Sequence, residues 1–171
     1  MGAGILPISI HKSTLFLLLG QERHDNYWSD FGGSRDTKKK KIEFPFETAI
    51  REGSEEFNGL LGLEEDVKKR VEDNLISSIA YDKYTTYLFK MKHDKQLPIY
   101  FDYNNKFAEK HLTDTINTNH NGLYEKTAIK WFSFKELDSD KKREIIRPWY
   151  RAIVKSIVDN ESIWRKEINK I

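Results

Sequence analysis

The chain has 171 residues, a formal net charge of +2, 38% hydrophobic and 13% aromatic residues, and no cysteine. That length and apolar content suit a globular domain with its own core rather than a disordered chain. The missing thiols exclude disulfides, thiolate metal sites and cysteine catalysis. A near-neutral overall charge argues neither for nor against nucleic acid, although positive charge is concentrated in the run Lys38 to Lys41.

In chain order, "GILPISI" (4–10) and "TLFLLLG" (14–20) are β-type apolar runs joined by a turn at "HKS". Residues 21–41, rich in Gly, Asp, Asn and charge, read as a long loop. Phe46 to Asn58 has helical periodicity, with Pro45 ahead of it and Gly59 where a left-handed cap would sit. "LEEDVKKRVEDN" (63–74) is a short polar helix, and "LISSIAY" and "TTYLFKMK" form a hairpin turned at "DK". "LPIYFDY" (97–103) is expected as a strand, "NNKFAEKHL" as a short helix, and "TAIKWFSF" (127–134) as the last strong strand. Tyr150, Ile153, Val154 and Ile157 then recur at helical spacing behind Pro148, and Trp149 and Trp164 are expected to dock the C-terminal helices.

The expected architecture is one mixed α/β domain over residues 1–171, with helices from about 141 onward packed on it. The longest apolar run is too short to span a bilayer. The start lacks a basic n-region, Leu6 stands where acylation at Gly2 would want Ser or Thr, and "NES" at Asn160 carries no weight without a secretory signal. The expectation is an intracellular, cytoplasmic protein without membrane contact.

"REGSEE" (51–56) carries the chemistry. At 100° per residue Glu52, Glu55 and Glu56 share one side of the helix. Like charges at such spacings cost a few tenths of a kcal/mol each, and Gly53 costs about 1 kcal/mol relative to alanine. Hard carboxylate oxygens suit Mg²⁺ or Mn²⁺, which would offset the first cost. Close packing of the helix on a sheet, with Ala49 and Gly53 on one stripe, would offset the second. A solvated acidic face beside a basic loop is the rival reading of these six residues.

The surroundings extend the pattern. Gly32 and Gly33 in "WSDFGG" precede Glu43, and seven residues separate Glu43 from Arg51, Glu52, Glu55 and Glu56. Together with "LFLLLGQER" before and "AIKWFSFKEL" after, this resembles the Nudix hydrolase signature over about residues 4–138. Three departures stand out. Nine residues separate Gly33 from Glu43, a longer loop than the family's, and the extra residues fall in "SRDTKKKKI". Gly53 replaces the usual aliphatic residue after Arg-Glu, and the closing glycine comes late, at Gly59. Phe31 also stands where the family often has proline.

The resemblance implies a Nudix-type α/β/α sandwich with a mixed β-sheet and a Glu-rich catalytic helix. It also implies hydrolysis of a phosphoanhydride with Mg²⁺ or Mn²⁺ as cofactor. Carried over, Glu55 and Glu56 are metal ligands with a backbone carbonyl of Gly32 or Gly33, and Glu52 is a third ligand or the base. Arg51 would hold these carboxylates in place, and Glu43 would do similar outer work. A further acidic residue is expected before the late strand, with Glu125 the first candidate and Asp114 the second.

For substrate, Arg23 after the second strand, Arg35 in the long loop, and Lys38, Lys39, Lys40 and Lys41 are candidate phosphate contacts. Trp28 is a candidate for stacking on a base, against core packing. A nucleoside diphosphate derivative ranks first. The lysine run keeps capped RNA (decapping) and a diphosphoinositol polyphosphate in contention. A non-catalytic nucleotide-binding module of the same fold, and a purely structural acidic helix, are the readings outside catalysis. The five histidines show no metal spacing, and no Ser-His-Asp set, P-loop or dinucleotide glycine pattern occurs.

Overall fold

Strand β1 (Gly2–His11) is apolar on both faces because both are covered. Ala3 and Ile5 point into one core, and Leu6 and Ile8 into another. β2 (Thr14–Glu22) repeats the pattern, with Leu18 in the first core and Leu15, Leu17 and Leu19 in the second. A computed structural model of the chain describes residues 1–36, 42–118 and 122–171; the run Lys38 to Lys41 and His120 lie outside them.

β1 and β2 pair antiparallel only near their turn, from Ile8↔Leu17 to His11↔Thr14, and then diverge. The fork is filled by two short strands within the expected loop. β3 (Trp28–Ser29) pairs with the end of β2, and β4 (Phe31–Ser34) pairs with the start of β1. Tertiary pairing, rather than local propensity, makes these strands. β5 (Leu75–Tyr81) and β6 (Tyr84–Lys90) form the expected hairpin, and β6 runs parallel to β1. β7 (Lys126–Ser133) pairs antiparallel with β2, so the sheet is mixed.

Helix α1 (Pro45–Glu56) lies across β1 and β4 on the first core. A Cβ on Gly53 would meet Ile5 Cδ1 at 2.4 Å, so the helix backbone rests directly on the sheet there. The helix stops at Glu56, two residues before the expected end, and Asn58 and Gly59 both take positive φ as the chain turns away. Phe31 stacks on Phe57 at 3.8 Å between ring centroids, so this departure from the usual proline is a core contact.

α2 (Glu64–Asp73) follows. Residues 97–111 are one helix, α3 (Leu97–His111), which corrects the expected strand at 97–103. Leu97, Phe101, Asn105 and Ala108 are its buried side, a helical spacing that outweighs the β-type composition of "LPIYFDY". After α4 (Thr113–Thr118) and β7, α5 (Arg151–Asp159) and α6 (Glu161–Ile168) cover the second core with Ile153, Val154, Ile157, Trp164 and Ile168. Trp164 docks as expected, whereas Trp149 is 42% exposed. Among the described residues, no helix is long and apolar enough to cross a membrane.

Candidate active site

The sheet and α1 bring Glu43, Arg51, Glu52 and Glu55 together at the mouth of the β1/β2 fork. Glu43 precedes α1 and is almost buried. Its Oε1 accepts from Arg51 Nε at 2.9 Å, and its Oε2 accepts from Arg51 Nη2, the Thr48 hydroxyl and the Asp36 amide. The hydrogen bonds from Arg51 pull the Glu43 carboxyl down to about 2, against the effect of burial. Glu43 is thereby fixed as an anion that anchors Arg51.

Arg51 spends its remaining donors on the site. Nη2 donates to the Ser34 carbonyl at 3.1 Å, which ties α1 to β4. Nη1 lies 2.9 Å from Glu52 Oε1 and 3.2 Å from Glu55 Oε2, so two carboxylates converge on one positive centre. Burial is the largest influence on both. It raises Glu52, and it pushes Glu55 up to about 7 despite Arg51, with Glu52 and Glu125 adding repulsion to Glu55. One guanidinium therefore leaves this acidic set undercompensated.

Glu125 is exposed and approaches from the segment before β7, close enough to repel Glu52 and Glu55. Asp114 is exposed on α4. Glu56 is separated from the pair, although the sequence spacing groups all three glutamates. It is 2% exposed, its Oε2 accepts from the Gly32 amide at 2.7 Å, and its Oε1 faces Lys126 Nζ at 3.4 Å. Burial raises the Glu56 carboxyl well above its ordinary value.

The donor set offers hard oxygens side by side at one place. Gly33 faces Glu52, and a Cβ there would lie 2.6 Å from Glu52 Oε2, so a side chain at this position would push that carboxylate aside. The hard oxygens of Glu52 and Glu55 already share one cationic nitrogen beside it. Among the described residues, no three His, Asp or Glu side chains are gathered closely enough to hold an ion as they stand.

The expected substrate contacts are spread widely. Arg23 donates to the Tyr124 carbonyl, Glu109 and Asn105, so its fork latches β2 to α3 and the chain before β7. Arg35 is half-buried, and its amide bonds the Met1 carbonyl. Trp28 packs on the second core, edge-on to Phe132 at 4.9 Å. That is the opposite face of the sheet from α1, which corrects its assignment as a stacking residue beside the carboxylates.

A buried charge cluster that no sequence motif announces lies directly behind Glu56. Lys126 is 0% exposed, and its Nζ donates to Glu22 Oε1 at 2.5 Å and to the Ser29 hydroxyl at 2.9 Å. Burial alone would lower the Lys126 pKa, but Glu56 and Glu22 outweigh it and raise it. Asp30 is also buried, and desolvation pushes its carboxyl up to about 6 although Lys126, Tyr84 and Thr86 oppose this. One signal was present: a Cβ on Gly20 would come within 2.9 Å of Lys126 Cδ, so the glycine closing "TLFLLLG" marks a close approach.

No family model and no curated protein matches the chain. Its fold aligns with a C. elegans Ap4A hydrolase in a binary complex, at 16% identity, 96% coverage of each chain and a TM-score of 0.54. Looser alignments are to a Nudix hydrolase from M. smegmatis, RenU (12% identity, 94% of this chain and 85% of that one, TM-score 0.45), and to a NUDIX family hydrolase from Clostridium perfringens (15%, 92% and 95%, TM-score 0.44). At such identity the C. elegans structure speaks for the fold alone, and the two looser alignments carry no argument. The chain shares the fold of that C. elegans structure, a mixed sheet between helices with a glutamate-rich helix against it.

Proposed function

We propose that residues 1–171 form one Nudix hydrolase domain that cleaves a phosphoanhydride bond in a nucleoside diphosphate-linked substrate with the help of Mg²⁺ or Mn²⁺. The observation that carries this reading is the convergence of Glu52 and Glu55 on Arg51 Nη1, beside a glycine whose missing side chain leaves them room.

Glu52 and Glu55, with the Gly33 carbonyl, would hold the ion. Glu56 reaches it only by giving up the Gly32 amide, and otherwise keeps β4 seated against α1. The bound ion neutralises diphosphate charge and lowers the pKa of water. The chain's own groups do the rest. Glu43 holds Arg51, and Arg51 holds the two glutamates at fixed positions, so the site is organised before substrate arrives. Water attacks phosphorus, the bridging P–O bond breaks, and a carboxylate takes the water proton. Glu52 and the exposed Glu125 are the candidates for that base.

Substrate class is the finer question. The C. elegans structure is named for Ap4A, which places dinucleoside polyphosphates in the test panel beside nucleotide sugars. Capped RNA and diphosphoinositols rest on Lys38 to Lys41 alone, which lie outside the described residues. The test is a phosphate-release and product-mass screen of that panel with Mg²⁺, Mn²⁺ and chelator. Chelator-sensitive cleavage of one member supports the reading and names the class. Tight binding without cleavage of any member would replace it with a nucleotide-binding module.

A further inference from the structure

A cavity of about 390 Å³ opens on the face of the sheet turned away from α1, between β4, the β5–β6 hairpin and the turn ahead of α5. Its walls are the backbone of Gly32 and Gly33 with Tyr81, Lys83, Tyr84 and Trp149. The same glycines face the acidic set: Gly32 donates to Glu56, and Gly33 abuts Glu52. The β4 backbone therefore has the cavity on one side and those carboxylates on the other.

The wall chemistry is specific. Tyr81 is 50% exposed and Trp149 42% exposed, and both line this one cavity. Tyr84 packs against Trp149 at 4.7 Å between ring centroids, and its hydroxyl is drawn inward to Asp30, which fixes that wall. Arg147 also lines the cavity, but Glu22 and Asp25 hold its guanidinium. Lys83 is exposed and forms no ion pair among the described residues, which leaves its ammonium available to an anion. Asp82, on the same turn, offers an acceptor to an amino group. Aromatic faces beside a free cation, in a space of small-molecule size, match a nucleobase carrying phosphate.

We propose that this cavity binds the nucleobase end of a nucleotide, with Tyr81 and Trp149 against the base and Lys83 on a phosphate. That the remaining phosphates pass from this face to Glu52 rests on the hydrolase reading; binding of the base does not.

The test titrates metal-free protein with AMP and with ribose 5-phosphate, followed by calorimetry and tryptophan fluorescence. AMP binds at least about fivefold more tightly than ribose 5-phosphate, and Tyr81→Ala and Trp149→Ala each weaken AMP by at least about fivefold. In turnover of a cleaved nucleotide the same variants raise KM and leave kcat unchanged. Both positions are exposed, and circular dichroism verifies folding. Equal binding of the two probes, or AMP binding unchanged in both variants, overturns the proposal. Glu55→Gln separates the two readings: it keeps AMP binding while losing turnover. Undiminished turnover in Glu55→Gln would sink the hydrolase reading whatever AMP does.

Discussion

Two charged regions meet at the C-terminal end of α1, and they are built on opposite principles. Around Arg51, four side chains lie at the protein's edge, with Glu55 a quarter exposed and one cation shared among three carboxylates. Around Lys126, the charges are sealed, with Lys126 at 0% and Glu22 at 4% side-chain exposure and short hydrogen bonds between them. The first is open to a ligand and undercompensated. The second is closed, a scaffold that joins β2, β3 and β7 behind the site. Glu56 belongs to both: it sits on α1 with Glu52 and Glu55 but faces the buried lysine.

The largest stability effect should come from breaking the sealed region. Lys126→Met leaves Glu22 and Glu56 buried without their main cation and should cost about 3 kcal/mol, read from denaturant unfolding. Arg147, 3.2 Å from Glu22, keeps the loss from being larger. A loss under about 1 kcal/mol would mean that water reaches the cluster.

At the open region, Glu43→Gln should remove up to about 3 kcal/mol at pH 7. The sign follows from the depressed carboxyl: its pKa is about 2 in the fold against an ordinary 4.5, so the folded state binds its proton less tightly. The stabilisation is present above pH 4.5 and disappears as pH falls through 2. The variant's stability curve should therefore converge on that of the wild type at low pH. A constant offset at every pH would assign the loss to packing.

Gly53→Ala is a smaller perturbation, about 1–3 kcal/mol, because the new methyl must displace Ile5. It should lower the melting temperature without shifting the metal concentration that half-saturates turnover. Smallest on folding is the replacement of Lys38 to Lys41 by alanine. It should weaken a polyanionic substrate, with a flatter salt dependence, and leave a small nucleotide nearly unchanged. No change with either substrate would reduce the run to a solvated loop.

These two regions also divide what the sequence could tell. Glu52 and Glu55 share a side of α1 by helical geometry and were legible from spacing, as were the apolar runs of β1 and β2, whereas the hold of Arg51 on them came with the resemblance to Nudix hydrolases. The Lys126–Glu22 bond spans 104 positions and exists only through the β2–β7 register, where Glu22 pairs with Lys126. Asp30 meets Tyr84 and Thr86 across the sheet in the same way. β3 and β4 were hidden because two- and four-residue strands have no periodicity of their own. At 97–103 aromatic and β-branched residues imitated a strand, while the burial of Phe101, Asn105 and Ala108 follows the turn of a helix. Glu56 shows where spacing stops informing: it shares a helix face with Glu52 and Glu55, yet the Gly32 amide and Lys126 draw it inward.

The most direct measurement compares turnover of wild type and Glu55→Gln on the best substrate of the screen, at saturating Mg²⁺ and with unfolding midpoints measured in parallel. If the carboxylates around Arg51 form a hydrolase site, turnover falls at least about 100-fold while the midpoint holds or rises, because a neutral amide removes the burial cost of the charged carboxylate. Equal turnover in the two proteins would contradict the account and leave the acidic face of α1 without a catalytic role.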